Sequence, residues 1–282
     1  MRREILDGTI AVGEYRYFKI RDPKERIISA APFRERVLQH AVMNVCHRYF
    51  DRTLIDTTYA TRLGKGLYSA LTKAVEAATH YKYMVKLDYR KHFDSVDHDV
   101  LKRRLRRIFK DAALLRLFDR IIDSYSASPG KGLPIGNLTS QYFANLYLSD
   151  LDHKVKEEWK ADVYIRYMDD ILIAGNDLPT LKRIVEQMTI YSSHQLLLTF
   201  KPPVYRSSSS GQVFLGYRVL PRHCKLSGRS KKRFRTKLLL YNRLLEEGTW
   251  SEHQYQEHIL PLLSFVTHAE SRNFRLACLQ IG

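Results

Sequence analysis

The chain has 282 residues, 44% hydrophobic and 27% charged, ordinary for a globular protein and long enough to bury a sizeable core. Lys+Arg 47 against Asp+Glu 30 leaves a net charge of +17, an excess that calls for a polyanionic partner. No window holds the ~18 apolar residues of a membrane span and the start lacks the apolar stretch of a signal peptide, so nucleic acid is favoured over a membrane surface. Three scattered cysteines, Cys46, Cys224 and Cys278, have no zinc-ligand spacing and suit a reducing compartment.

In chain order, "YRYFKIRD" and "ERIISAA" flank Asp22-Pro23-Lys24-Glu25 and predict a β-hairpin. Val37, Ala41, Val42 and Val45 recur at helical spacing, predicting a helix over about 32–49 with that face inward. A second helix is expected over 67–79, and "YKYMVKLDY" (81–89) alternates as a strand ending at Asp88. Asp97 is placed to cap a helix that puts Leu101, Leu105 and Ile108 on one face. Five of the six residues of "KRRLRR" (102–107) are basic, reading equally as a solvated face or a nucleic-acid contact.

"GLPIGNLTSQ" (132–141) carries no acid, base or metal ligand and precedes a long helix in which Phe143, Leu146, Tyr147, Leu151 and Val155 repeat to about Trp159. "VYIRYM" and "ILIAG" predict two strands joined at Asp169-Asp170. A helix near 178–194, a strand near 196–201, a surface loop or hairpin tip at "RSSSSG" (206–211) and a hairpin through "QVFLGYRVL" follow. From Gly228, Phe234, Leu238, Tyr241 and Leu245 form a helical stripe, and six of the nine residues in "RSKKRFRTK" (229–237) are basic. Ser251 and Gln254 form a capping box for a last helix, with a kink expected at Pro261.

Asp88 alone reads more readily as a cap or turn residue than as a ligand. Two adjacent aspartates between apolar strands are different, because like charges repel unless a cation sits between them. Magnesium takes a few carboxylates plus substrate phosphates rather than a full protein cage. Two such ions about 4 Å apart activate a 3′-hydroxyl and stabilise departing pyrophosphate. With a chain of charge +17, the combined reading is template-directed nucleotidyl transfer.

The order "KIRDPKERIIS", "KLDYRKHFD", "GLPIGNLTSQ", "YMDD", "LLLTFK" and "FLGYR" resembles that of reverse transcriptase motifs over nearly the whole chain. The resemblance implies an α+β, right-hand polymerase: fingers (1–80 and 101–135), a palm whose antiparallel sheet carries the aspartates (81–100 and 136–227), and a helical thumb (228–282). It implies an RNA-directed DNA polymerase using two Mg2+ ions, with Mn2+ able to substitute. Asp88 and Asp169 become the main metal ligands, Asp170 the third carboxylate, and Tyr89 lends its backbone carbonyl. Lys19 and Arg26 would contact the triphosphate, with Lys19 equally readable as a surface residue. Lys201 would protonate pyrophosphate or simply be solvated. Phe93 would be the steric gate against a ribose 2′-hydroxyl, with a core aromatic as the alternative. Ile135, Gly136, Gln141 and Tyr167 would line the nucleotide pocket, and Phe214, Leu215 and Gly216 would form the primer grip.

"IGNLTSQ", "RDPKERIISAAPFRERVLQHAV" and "YIRYMDDILIAG" are similar to diversity-generating retroelement reverse transcriptases, a bacterial and phage group related to group II intron enzymes. That resemblance implies template RNA, a primer with its growing cDNA, and dNTPs as partners, together with a small basic accessory variability determinant protein. It also implies errors at template adenines, no membrane and a cytoplasmic location. Ile135 stands where many reverse transcriptases have glutamine, and we expect it to weaken checking of the new pair unless it is plain packing. The chain starts almost at the hairpin, as a truncated or a compact form would, and ends soon after the thumb helices, so no RNase H, maturase or endonuclease domain is expected in it. A group II-like or retron-like enzyme of ordinary fidelity, and a non-catalytic RNA-binding module, are the competing readings.

Overall fold

The computed structural model describes residues 2–21 and 25–279. After a short helix α1 (Arg2–Leu6), strands β1 (Arg16–Arg21) and β2 (Glu25–Ala30) pair antiparallel with Lys19 opposite Ile27. The expected hairpin is present, and its turn at Asp22-Pro23-Lys24 lies outside the described residues.

Helix α2 (Phe33–Arg52) forms as expected but turns a different face inward. Leu38, Met43, Cys46 and Phe50 are buried, while Val37 is 41% and Val45 70% exposed. The reason is polar. Glu35 is buried because it accepts the Gly13 N–H at 2.9 Å, and Gln39 because its Oε1 accepts the Leu138 N–H at 3.1 Å. A buried polar group costs little once its hydrogen bond is made, so apolarity alone misplaces the helix.

Helix α3 (Leu67–His80) presents Ala70, Ala74 and Ala77 to the sheet behind it, and β3 (Tyr83–Asp88) follows. Short α4 (His92–Ser95), α5 (His98–Ile108) and α6 (Ala112–Asp123) come next; α6 has no counterpart in the sequence reading. Asp97 caps α5 as expected, its carboxylate accepting the Val100 N–H at 3.0 Å. The basic run 102–107 is largely solvated, with Arg103, Arg106 and Arg107 exposed and only Arg104 buried, and most of its charges also find acids. Lys102 pairs with Asp123 (2.6 Å), Arg106 with Asp119 (2.6 Å), and Arg104 and Arg107 with Asp150 (3.0 and 3.1 Å). The acids come from two neighbouring helices, α6 and the helix that follows the next loop, and most of these pairs stay at the surface.

Helix α7 (Leu138–His153) continues through a wider π turn (Lys154–Glu158) and buries the predicted stripe. β4 (Val163–Tyr167), β5 (Asp170–Gly175) and α8 (Leu178–Gln195) follow. No strand forms at 196–201: Leu197 has φ +53°, Pro202 and Pro203 lack an N–H, and only Phe200 bridges Tyr89. The chain instead joins the sheet at β6 (Val204–Ser207), giving the antiparallel order β4-β5-β3-β6. "RSSSSG" is the passage from this sheet to a second one, β7 (Gln212–Phe214), β8 (Tyr217–Leu220) and β9 (His223–Leu226).

Alternation along the central strands feeds two cores. Val85, Leu87, Ile171, Ile173 and Tyr164 face α2 and α5–α8, while Met84, Leu172, Ala174 and Ile165 face α3 and the second sheet. Helices α9 (Gly228–Glu246), α10 (Glu252–Thr267) and α11 (Arg272–Leu279) close the second core with Phe234, Leu238, Ile259 and Val266. The Ser251–Gln254 capping box is formed, and α10 runs on through Pro261. All three cysteines are buried free thiols, and burial pushes Cys46 up to about 11. Among the described residues no helix is long and apolar enough to cross a membrane.

Candidate active site

The site is built where β3 ends and β5 begins. Their antiparallel register sets Asp88 directly opposite Asp170, and Asp169 occupies the two-residue turn between Tyr167 and Asp170. That turn requires Met168 at φ +53°, a left-handed conformation that a side chain adopts only under external constraint. The three aspartates line one cleft of about 800 Å³ with Arg26 from β2, Lys86, Lys201, Leu215 and Gly216, and with Arg229 and Arg233 from the start of α9.

Each end of the carboxylate cluster holds a lysine. Lys201 Nζ lies 2.6 Å from Asp88 Oδ2, and its N–H donates to the Asp88 carbonyl at 2.8 Å. Lys86, two residues before Asp88 and on the same side of β3, sits 2.8 Å from Asp170. Asp169 and Asp170 are both held above the usual carboxylate range, chiefly by burial. The Asp88 charge adds to the effect at Asp169, and Lys86 opposes it at Asp170. Such a cluster gains from a further cation. Its donors are hard carboxylate oxygens, and among the described residues no three acidic, His or Cys side chains form a ready-made metal cage. A few carboxylates without a full cage is the donor set that a hard divalent ion completes with water and substrate phosphate.

Tyr89 turns its ring into the core, stacked on Phe200 at 4.0 Å, with its hydroxyl 2.9 Å from Ser192 Oγ. Burial raises that phenol far above its ordinary value, so the side chain of Tyr89 serves the core and does not line the cleft. Phe214 is likewise fully buried, so Leu215 and Gly216 form the cleft-facing part of the β7–β8 turn. Gly216 has φ +88°, and a Cβ there would come 2.9 Å from Phe265 on α10.

Other predicted residues stand elsewhere. Lys19 is exposed and paired with Glu25 at 3.2 Å, away from the cleft wall that Arg26 joins. Phe93 is half-buried against the first core, its carbonyl accepting the Leu133 N–H at 2.8 Å. Ile135 and Gly136 lie under β2, Gln141 accepts from Thr61 at 3.2 Å, and Tyr167 packs into the second core; none lines the aspartate cleft. Lys86, Arg229 and Arg233 were missed as cleft residues. The period-2 spacing of Lys86 from Asp88 was a signal for the first; the other two depend on where α9 docks.

Comparison with known proteins agrees with this geometry. Residues 19–198 match the family model for reverse transcriptase (RNA-dependent DNA polymerase). Protein YkfC of Escherichia coli is 22% identical over 269 residues, covering 78% of this chain and 70% of its own. The COX1/OXI3 intron 1 protein of Saccharomyces cerevisiae is 21% identical over 166 residues, covering 56% of this chain and 20% of its own. Among solved structures, C-terminally truncated apo telomerase from Candida tropicalis superposes with a TM-score of 0.58 at 14% identity, covering 76% of this chain and 55% of that one. The C. tropicalis telomerase in complex with a fragment of telomeric RNA gives 0.56 at 12% identity, over 96% of this chain and 56% of that one. The chain thus spans about half the length of these telomerases, and the likeness is one of fold, the right-hand polymerase. With the family match covering most of the chain and the aspartates gathered at the sheet end, the chain belongs to the reverse transcriptase family, the RNA-directed DNA polymerases.

Proposed function

We propose that this chain copies a template RNA into cDNA by nucleotidyl transfer at Asp88, Asp169 and Asp170, with two Mg2+ ions, or Mn2+ in their place. The observation that carries this reading is the facing of Asp88 and Asp170 across β3 and β5, with Asp169 beside them in a cleft edged by Arg26, Lys201 and Arg229. Bound ions would supply the acidity of the primer 3′-hydroxyl and the charge opposite the triphosphate. The chain's own residues do the rest. The backbone of Tyr89 completes the oxygen donors, and Arg26 receives the triphosphate, while Lys19, held by Glu25 on the other face of the hairpin, stays a surface residue. Lys201 brings an ammonium proton to the departing pyrophosphate. Leu215 and Gly216 brace the primer end, with Phe214 anchoring their turn. Phe93 excludes the ribose 2′-hydroxyl, and Ile135, Gly136, Gln141 and Tyr167 shape the pocket for the new pair. In this reading residues 1–80 and 101–135 are fingers, 81–100 and 136–227 palm, and 228–282 thumb.

Within the family, we assign the chain to the diversity-generating type, acting in the cytoplasm with a small basic accessory variability determinant protein. The support is the "IGNLTSQ" loop, where Ile135 replaces an amide with bare volume. Primer extension on an RNA template with Mg2+ and dNTPs tests the activity: wild type should extend and Asp169→Ala should not. Equal extension by Asp169→Ala would remove the metal assignment. Sequencing the cDNA tests the subtype, since low misincorporation opposite adenine would make this a group II-like enzyme of ordinary fidelity.

A further inference from the structure

Strand β4 carries "VYIRY", and its alternation sends Tyr164 and Arg166 to the same side, where both are fully buried. A guanidinium cannot shed its charge there, so every N–H must find an acceptor. All five do. Nε donates to Asp152 Oδ1 at 2.7 Å and Nη2 to Asp152 Oδ2 at 2.5 Å, a forked pair with a carboxylate that is itself 0% exposed. Nη2 also reaches the Asn145 carbonyl at 3.2 Å, and Nη1 the Asn145 side-chain oxygen at 3.0 Å. The remaining N–H donates to the carbonyl of Met168 at 3.1 Å.

Met168 immediately precedes Asp169 and holds the strained φ of +53° on which the catalytic turn depends. Asn145 and Asp152 lie on α7, and Asn145 Nδ2 donates to the Ala60 carbonyl at 2.8 Å. The Arg166 main chain bonds the same 57–60 segment, donating to Thr57 O at 3.0 Å and accepting from Tyr59 N at 2.9 Å. One side chain thus ties the Asp169 turn to α7 and, through it, to the segment ahead of α3. A buried ion pair is often matched or exceeded in stability by an apolar pair of the same size, so stability alone does not explain this one. An apolar side chain could not donate to Met168, and lysine, with three N–H on one atom, could not fork onto Asp152 while reaching the other acceptors.

We infer that Arg166 is a positioning residue for the polymerase centre: it fixes the Met168 carbonyl and so the direction in which Asp169 faces the cleft. This rests on the reading of Asp169 as a metal-holding carboxylate. Second-sphere groups of this kind typically contribute about 10–100-fold to metal affinity or rate.

The test compares Arg166→Met, the double variant Arg166→Met/Asp152→Asn, and Arg166→Lys. The readouts are thermal melting, Mn2+ titration followed by the free-ion electron paramagnetic resonance signal, and primer extension on RNA with Mg2+. Arg166→Met should melt well below wild type, because Asp152 is left buried without its counter-charge. Neutralising that charge in the double variant should restore most of the melting temperature. Its Mn2+ affinity and kcat should stay about tenfold or more below wild type, with the dNTP KM little changed. Arg166→Lys, which keeps the charge beside Asp152, should fold and show the same two deficits. Recovery of Mn2+ affinity and rate together with melting temperature in the double variant, or wild-type values in Arg166→Lys, overturns the inference and leaves a purely structural ion pair. Asp169→Asn separates the two levels. If it keeps Mn2+ affinity and rate, the reading of Asp169 falls and this one with it. If it loses both while the double variant recovers, only the role of Arg166 falls.

Discussion

The N–H of Ser29 on β2 donates to the carbonyl of Ile135 at 2.9 Å, stitching the N-terminal hairpin to the loop that opens α7. Gln39 adds a second stitch by accepting the Leu138 N–H, so hairpin, α2 and loop are joined by hydrogen bonds. Gly136 sits inside this seam at φ +118°, and a Cβ there would lie 3.0 Å from Ile28 Cγ2 and 3.4 Å from the Ser29 carbonyl. Gly136→Ala should therefore cost about 1–3 kcal/mol of backbone strain and part the hairpin from the loop. The expected outcome is a lower melting temperature and a higher KM for dNTP, read by calorimetry and steady-state extension.

Ile135 itself is half-buried, and its side chain has no hydrogen-bonding group. Restoring an amide by Ile135→Gln should lower misincorporation opposite template adenine severalfold with the same primer and template. Deep sequencing of the cDNA reads this directly, and an unchanged error spectrum would reduce Ile135 to packing.

The aspartates carry a stability cost that pH reveals. Burial and the neighbouring Asp88 charge raise Asp169 above its ordinary value near 3.8, so its ionised form is disfavoured in the fold. Between the unfolded and folded values the native state binds more protons than the unfolded chain, and stability falls as pH rises through that window. Above it the full penalty is present. Without divalent ions at neutral pH, Asp169→Asn should melt above wild type, and the gap should close below about pH 4. A variant that gains stability as it loses extension fits a group placed for chemistry rather than for folding. A lower melting temperature at neutral pH would contradict it.

Arg229 is exposed at the start of α9 and lines the same cleft. Binding of a primer–template duplex should weaken steeply with salt through counterion release. Arg229→Ala should weaken it further and reduce the slope of log affinity against log salt by about one. Fluorescence anisotropy from low to high salt measures both, and an affinity that is flat in salt would count against a nucleic-acid role for the net charge.

Much of the local structure was readable because short-range rules suffice for it. Asp97, Ser251 and Gln254 cap their helices as their spacing predicts, and the strands carrying Asp88 and Asp170 follow their alternation. What failed did so where a partner distant in sequence intervenes. Val37 and Val45 lie outward because Glu35 and Gln39 find Gly13 and Leu138. In "KRRLRR", Lys102 and Arg104 are drawn in against Asp123 and Asp150, while Arg103, Arg106 and Arg107 keep the solvated face that the sequence allowed. The strand expected at 196–201 gives way to β6 once Leu197 and the two prolines are placed.

The sequence by itself determined which residues can carry charge and chemistry and the order in which they occur, because side-chain identity and period are local properties. Tertiary structure alone decided that Asp88 meets Asp170, since an antiparallel register across 82 residues of chain is chosen by the two cores that the strands feed. It also decided that Lys86 and Lys201 guard the carboxylates and that Arg166 stands behind their turn. Charges in a low-dielectric interior are tolerated only with partners that folding brings to them.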